Sequence, residues 1–530
     1  MELRSLIQRC GAVFLLLLVL QAFAYGLSIR DYGFYADDWV FAEHTSLASD
    51  TDFACAARSF FFDATDPRPL RCIEHGLIAF LIRSFGFPSA YLLQLALETL
   101  SVFLLYLLLA RSFTPPTALL TSVLFLLAPL DTTQLWLATF HWRIAFLLAC
   151  AALLLLDTRI WPAAPLLILI SASFNEGFLA WLGIAVALPL HRISTRTRIV
   201  RLIVSFSIIA SGYFLWRFVL FPAISPDPRM VRLMDWDASS DLLRRFALNY
   251  IVALYVILVA SIRFCLDAIL RHPLIFIAWL TALVPILTAF LRVRGPAPAA
   301  RDTRPCSCSD IPVLLRLGAA AWIFTYWTGI FDWTGFAPGG GTRLNYPGNL
   351  SFAAWTAAVI LPVSGLGRAS DRIALRNLRI ALTISIALAA LLTRTHLVRM
   401  DYVEAWRDQK TLIPALTDAA RDLEPGTVII LKYDDPPGRS ISTFTDTWHH
   451  DAIVRLFFPG NVRLVLEKNI WKYEFPREGD ICITNIFEAI RVTPDRLAYW
   501  IWDPGELHRI KGGMDRENAG GRNANEQASE

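Results

Sequence analysis

The sequence predicts an all-α polytopic membrane protein of about eleven to thirteen transmembrane helices, followed by a small C-terminal α/β domain outside the bilayer. Three observations carry that expectation. Of 530 residues, 55% are apolar and only 18% charged, with a mean hydropathy of +0.48, which is too apolar for a soluble chain of this size. Uncharged stretches approaching the roughly 20 residues that cross about 30 Å of hydrocarbon recur between residues 11 and 393. The composition then changes, because the basic residues are almost all Arg until every Lys (410, 432, 468, 472 and 511) falls in the last quarter. That shift places a domain boundary near residue 395, so residues 1–395 read as the membrane domain and 396–510 as the outer domain.

Residues 11 to 29 form the first span. Arg4 and Arg9 precede it, and the Ser28-Ile29-Arg30-Asp31 sequence lacks a small-residue cleavage site, so a retained span with a cytoplasmic N-terminus is expected. Further apolar segments lie near 91–110, 117–130, 143–156, 162–174, 178–190, 202–221, 246–262, 273–291, 312–331, 350–366 and 380–393. Several are short for a crossing and need tilt or shelter among neighbours. The Arg-rich connections at 191–201, 292–304 and 368–379 should all be cytoplasmic. Three spans between the first two make an odd number, so one of the three is expected to be re-entrant or miscalled. On the charge rule, loops 30–90 and 332–348, together with everything after 395, face outside.

After residue 400 the pattern reads as a polar helix over 402–423, a strand at 427–431, and short strands at 462–466 and 481–485. Residues 511–530 are polar and Gly/Asn-containing and read as a disordered tail. The eight Cys lack zinc spacing, and adjacent His449 and His450 point in different directions on any regular element, so neither implies a metal. Cys55 and Cys72 share the first outer loop, as a disulfide pair or as two unrelated thiols. Nothing in the charge pattern points to a nucleic-acid partner.

The residues able to carry chemistry cluster in the loops. Asp37 and Asp38 stand among aromatics just beyond the first span, either as general-base carboxylates at headgroup level or as solvated turn residues beside an interfacial anchor. Residues 73–87 read as an amphipathic helix lying on the membrane surface. Gln94 and Glu98 share one face of the second span, where an inward, structural pairing is the favoured role of the acid. Arg143 with His141 and Trp142, Glu176 in Asn175-Glu176-Gly177, and Arg343 and Tyr346 after a Gly run complete the set. A guanidinium at the outer face suits a phosphate, since its planar fork donates bidentate bonds, although snorkelling to headgroups is the ordinary use of each Arg alone.

The order of these features resembles the C-type (GT-C) integral-membrane glycosyltransferases, in the branch of bacterial relatives of the tetratricopeptide-containing protein O-mannosyltransferases. The likeness covers roughly residues 10 to 190. Asp37-Asp38-Trp39 resembles the family's acidic first-loop motif, and Arg68-Pro69-Leu70 followed by Phe85-Gly86 resembles its Arg-Pro-Leu to Phe-Gly stretch. The run from Leu124 to Pro129, then Trp136 and Trp142-Arg143, resembles a further stretch, and Arg343, Tyr346 and Pro347 an outer Arg-Tyr-Pro element. Asn175-Glu176 stands where many relatives have Lys-Glu, and no tetratricopeptide array follows, so protein mannosylation does not carry over.

What the resemblance implies is a transferase using a polyprenyl-phosphate-linked sugar at the outer face of a bacterial plasma membrane, with a glycan, lipid or protein acceptor. Asp37 would be the base, with Asp38 orienting it or sharing a divalent cation. Arg68, Arg143 and Arg343, with Tyr346, would meet the lipid phosphate or sugar, and Glu176 would pair with an Arg. A glycolipid transporter or flippase, or a catalytically inactive membrane scaffold, is the alternative reading.

Overall fold

The computed structural model describes residues 2–35, 38–39, 42–43, 70–188, 195–220, 239–293, 310–326, 346–364, 373–436, 439, 441, 443, 453–458, 462–467, 470–474, 481–485, 489–503 and 506–510. The chain is mostly helical and carries a small C-terminal sheet region. In chain order the helices are α1 (Glu2–Ala24), α2 (Arg71–Phe85), α3 (Phe87–Leu109), α4 (Pro115–Leu126), α5 (Phe140–Leu155), α6 (Ala163–Phe174), α7 (Thr195–Phe214), α8 (Ser239–Tyr255), α9 (Ser261–Arg271), α10 (Pro273–Val293), α11 (Asp310–Thr325), α12 (Asn349–Ser364) and α13 (Ile373–Ala420). An 11-residue 3-10 segment, Glu176–Val186, follows α6, and π-helical turns extend α7 to Leu220 and join α8 to α9.

Among the described residues, five helical stretches are long and apolar enough to cross a membrane: Phe87–Leu109, Leu137–Leu155, Arg196–Arg217, Ala247–Arg271 and Asn377–Ala420. That is fewer than the eleven to thirteen expected. The remaining apolar stretches run 10 to 17 residues among the described residues; two of them belong to the longer helices α1 (23 residues) and α10 (21 residues), and the others are too short alone to span about 30 Å. Length and shelter go together here. Nine residues of the 12-residue α4 are buried, Thr117, Ala118 and Leu120 to Leu126, so its backbone ends meet protein and not lipid. Two prolines open α4, where their missing N–H groups would have lacked partners in any case. Gly86, at φ +80°, makes the break between α2 and α3 that a side chain would strain.

The bundle has two distinguishable ends. At one, arginines cap the carbonyls of neighbouring chain segments. Arg111 Nη1 donates to Leu154 O (2.7 Å), Arg198 Nη1 to Leu188 O (2.6 Å), Arg201 Nη1 to Leu156 O (2.7 Å) and Arg379 Nε to Val363 O (2.9 Å). These are the favoured partners of a cation at a helix C-terminus. At the other end lie Tyr25 to Tyr35, the turn 127–139 and Tyr346. Two of the expected basic connections, 191–201 and 368–379, supply arginines to the first end.

Between the first two basic segments run α7, the α8–α9 rod and α10. Tyr250 OH donates to Ile323 O (2.7 Å) near the end of α11, whose start, Asp310, accepts bonds from Thr114 (3.3 Å) and Thr117 (3.0 Å) at the arginine-capped end. Further along the same rod the Phe264 ring packs 5.1 Å from the Arg394 guanidinium, just before the level where Arg399 reaches Phe23 O (3.1 Å) at the end of α1. Both contacts lie toward the loop end of the bundle.

The expected polar helix over 402–423 is not a separate element. It is the continuation of α13, a 48-residue rod that runs unbroken through residue 395 and is about 72 Å long at 1.5 Å per residue. Hydropathy falls along it while helix propensity persists, so the change in composition does not interrupt the helix. Beyond it the strands are β1 (Val428–Lys432), β2 (Arg463–Leu466), β3 (Ile470–Glu474), β4 (Ile481–Asn485), β5 (Ala489–Val492), β6 (Leu497–Asp503) and β7 (Glu506–Ile510). One sheet has the order β2-β1-β6-β7, with β1 parallel to both neighbours (Ile430 opposite Val465 and Tyr499) and β6–β7 an antiparallel hairpin; β3-β4-β5 form a second, antiparallel sheet. β1, β2 and β4 fall on the three expected strands. β1 reads as a continuous apolar run because it is flanked on both edges and covered by Leu412, Ile413 and Leu416 of α13.

The segment after α1 is fixed by phenols. Tyr32 OH donates to Tyr25 O (2.6 Å), Tyr35 OH to Tyr402 O (2.7 Å), and Tyr91 OH to Gly33 O. Burial pushes the Tyr32 and Tyr35 phenols well above their ordinary range, so both stay protonated donors. Gly33 lies against the Trp406 indole, with no room for a Cβ. Gly33→Ala is expected to cost about 1–3 kcal/mol through overpacking, read as a lower thermal unfolding midpoint of the full chain in nanodiscs, while Gly11→Ala, inside α1 where a Cβ meets nothing within 4 Å, does not lower the midpoint.

Candidate functional site

The loop end of the bundle is organised by two buried carboxylates. Asp38 is fully buried. Its Oδ2 accepts from Tyr35 N (3.1 Å) and its Oδ1 from Ala138 N (2.6 Å), so one side chain ties the first loop to the start of the Leu137–Leu155 span.

Glu98 is the second. Its Oε2 lies 3.3 Å from Arg143 Nε and accepts from Tyr346 OH (2.8 Å). Arg143 is only 1% exposed, and its other nitrogens donate to Thr139 O (2.8 Å), Thr139 Oγ1 (2.6 Å) and Gln134 O (3.0 Å). Its guanidinium also stands 4.9 Å from the centre of the Tyr346 ring. Gln94, one turn before Glu98, donates to Gln134 O (2.6 Å) and Trp136 O (3.2 Å). The shared face of Gln94 and Glu98 therefore grips the same turn from the α3 side that Arg143 grips from α5. Asp131 closes that turn by accepting from Thr133 N (2.7 Å) and Thr133 Oγ1 (2.6 Å). Burial pushes its carboxyl up, against the pull of Arg143 and the Thr133 bonds.

Arg143 and Asp38 thus meet one structural unit, the turn 131–139, and Tyr346 joins them through Glu98 and the Arg143 guanidinium. Glu176 stands apart, at the start of the 3-10 segment, where its Oε1 accepts from Tyr213 OH (2.9 Å) and lies 3.6 Å from Arg217 Nη1. Asn175 caps this segment through Gly177 N (2.8 Å). Asp37, Arg68 and Arg343 lie outside the described residues, as do Cys55, the Cys72 side chain, His449, His450 and the 511–530 tail. Among the described residues no group of three or more His, Cys, Asp or Glu side chains is arranged to hold a metal ion, and two of the Asp38 lone-pair positions are taken by backbone donors.

Helix α2 covers most of the segment read as amphipathic. Glu74 Oε1 accepts from His141 N (2.8 Å), and Leu70 N donates to Ser173 O (3.3 Å), so α2 is tied to α5 and α6 by named bonds at its start. Sequence reasoning missed Glu74, Asp131 and Tyr402. Asp131-Thr132-Thr133 had a signal, since an Asx turn needs an Asp two residues before a free N–H. Tyr402 had none.

Compared with known proteins, the chain matches no protein-family profile, no curated protein and no solved structure. The class that the fold defines is a helical membrane protein with a sheet domain at one end.

Removing one partner of the Glu98–Arg143 pair leaves the other charge buried. Glu98→Gln or Arg143→Met is expected to cost about 3–5 kcal/mol, and the joint replacement less than the sum; denaturation midpoints of the purified protein in mild detergent check both.

Proposed function

We propose that the chain is a C-type membrane glycosyltransferase with a polytopic helical domain, moving a sugar from a polyprenyl-phosphate donor to an acceptor hydroxyl at the outer face of a bacterial plasma membrane. The observation that carries the reading is the Asp38 to Ala138 bond, which joins the acidic first loop to the turn gripped by Arg143 and Gln94. Acids from a loop and a guanidinium from a distant helix thereby share one end of the bundle, opposite the arginine-capped end that the charge rule assigns to the cytoplasm.

In this reading the acceptor oxygen attacks the anomeric carbon as its bond to the phosphate oxygen breaks. The hydroxyl proton passes to Asp37, and the polyprenyl phosphate leaves with the bonding electrons. A single displacement inverts the anomeric centre. Asp38 is a positioning residue that holds the chain beside Asp37. Arg143 is a positioning residue too, because its donors are committed to Glu98, Thr139 and Gln134. Contact with the lipid phosphate then falls to Arg68 and Arg343. Glu176 pairs with Arg217, and Tyr346 fixes Glu98. A divalent cation would draw its ligands from Asp37 and the donor phosphate.

The test uses proteoliposomes with a panel of radiolabelled polyprenyl-phosphate sugars and total membrane acceptor. Asp37→Asn is expected to lower transfer by about 10²–10⁴, the usual worth of a general base, with insertion unchanged. Transfer equal to that of the parent would discard the assignment.

A further inference from the structure

We propose that the first loop is a strap between the membrane bundle and the sheet domain, fastened by Trp39, Glu43 and Arg455, so that the sheet domain sets the position of the acidic loop. The functional half of this inference rests on the reading of Asp37 as the base; the mechanical half does not.

Neighbouring residues of the loop belong to different bodies. Asp38 is bonded to the bundle through Ala138 N (2.6 Å), whereas Trp39 is buried in the apolar core of the sheet domain with Leu412, Leu416, Ile429, Leu431 and Ile453. The Trp39 ring lies 5.9 Å from Phe457, 6.1 Å from Trp406 of α13 and 5.0 Å from Phe34, which in turn packs 4.5 Å from Phe87 at the start of α3. Loop, span, rod and sheet domain therefore converge on one aromatic cluster. Large rings bury much area with few rotors to freeze, which suits a joint that must hold one geometry.

The second fastening is ionic. Arg455, in the short helical turn before β2, donates from Nη2 to Glu43 Oε2 (2.9 Å), and its Nε faces Glu43 Oε1, a bidentate fork on a carboxylate that is itself buried. Arg455 is exposed on its outer side, so reversing it does not disturb a core. Glu43 loses an opposite charge and gains nothing in water, because its own carboxylate stays covered. Displacing the sheet domain would pull on Glu43 and Trp39 and, through the one peptide link to Asp38, on the residue before it. Trp39, Glu43 and Arg455 are accordingly positioning residues for the loop.

Amide hydrogen exchange on the full chain in nanodiscs tests the strap. Arg455→Glu and Glu43→Arg are each expected to speed exchange in peptides covering 33–43 by about tenfold or more through local opening, with peptides from 87–109 unchanged, and the double reversal returns the loop to the parent rate. Single variants that exchange like the parent, a double reversal that fails to restore, or faster exchange spread into 87–109 would each overturn the proposal. In the proteoliposome assay, Arg455→Glu should lower the turnover number and the double reversal should restore it. A parent protein that transfers no sugar while the exchange pattern holds sinks the glycosyltransferase reading and leaves the strap standing.

Discussion

A carboxylate with no water around it has to find donors, and Asp38 finds them on two chain segments a hundred residues apart in sequence. The rest of the loop end depends on that constraint. Because Tyr35 N and Ala138 N share one side chain, the first loop cannot shift without carrying the turn 131–139, and that turn is also the anchor of Arg143, Gln94 and Tyr402. The phenol bonds of Tyr32, Tyr35 and Tyr91 act in the same direction, each closing on a backbone carbonyl that lipid could not satisfy. The result is a polar layer sealed within an apolar bundle, with every member named above bonded to backbone or to another member.

Much of the bundle was legible because hydropathy is a one-dimensional signal. The segments near 91–110, 162–174 and 350–366 became α3, α6 and α12 within a few residues. What composition could not give was depth. A 12-residue apolar helix reads the same whether it is sheltered, as α4 is, or lies at a surface. The composition change near 395 falls inside one continuous helix. Arg-rich and Lys-rich stretches differ in solvent, not in backbone, and α13 passes through both.

The candidate residues divide by the same logic. Glu98 was readable as an inward pair because an ionised group at that depth needs a partner, and Arg143 is that partner. Glu176 has an arginine opposite it, on α7's π-helical extension, too far along the chain for spacing to name. Asp38 and Asp37 are chemically identical in sequence, so no pattern could say which one spends its oxygens on backbone. The sheet was readable in β1, β2 and β4, whose apolar runs are short and bounded. It was unreadable in β6 and β7, whose aromatic and charged residues match a loop as well as a hairpin.

Helix α13 is continuous from the arginine-capped end to the underside of β1. With about 20 residues in hydrocarbon, roughly 40 Å of rigid rod projects beyond it. A tilt of about 10° to accommodate a thinner bilayer would sweep the far tip sideways by roughly 7 Å. Lipid thickness thus acts on the sheet domain as a lever acts on its load, and the fastened loop beside α1 is what resists the swing.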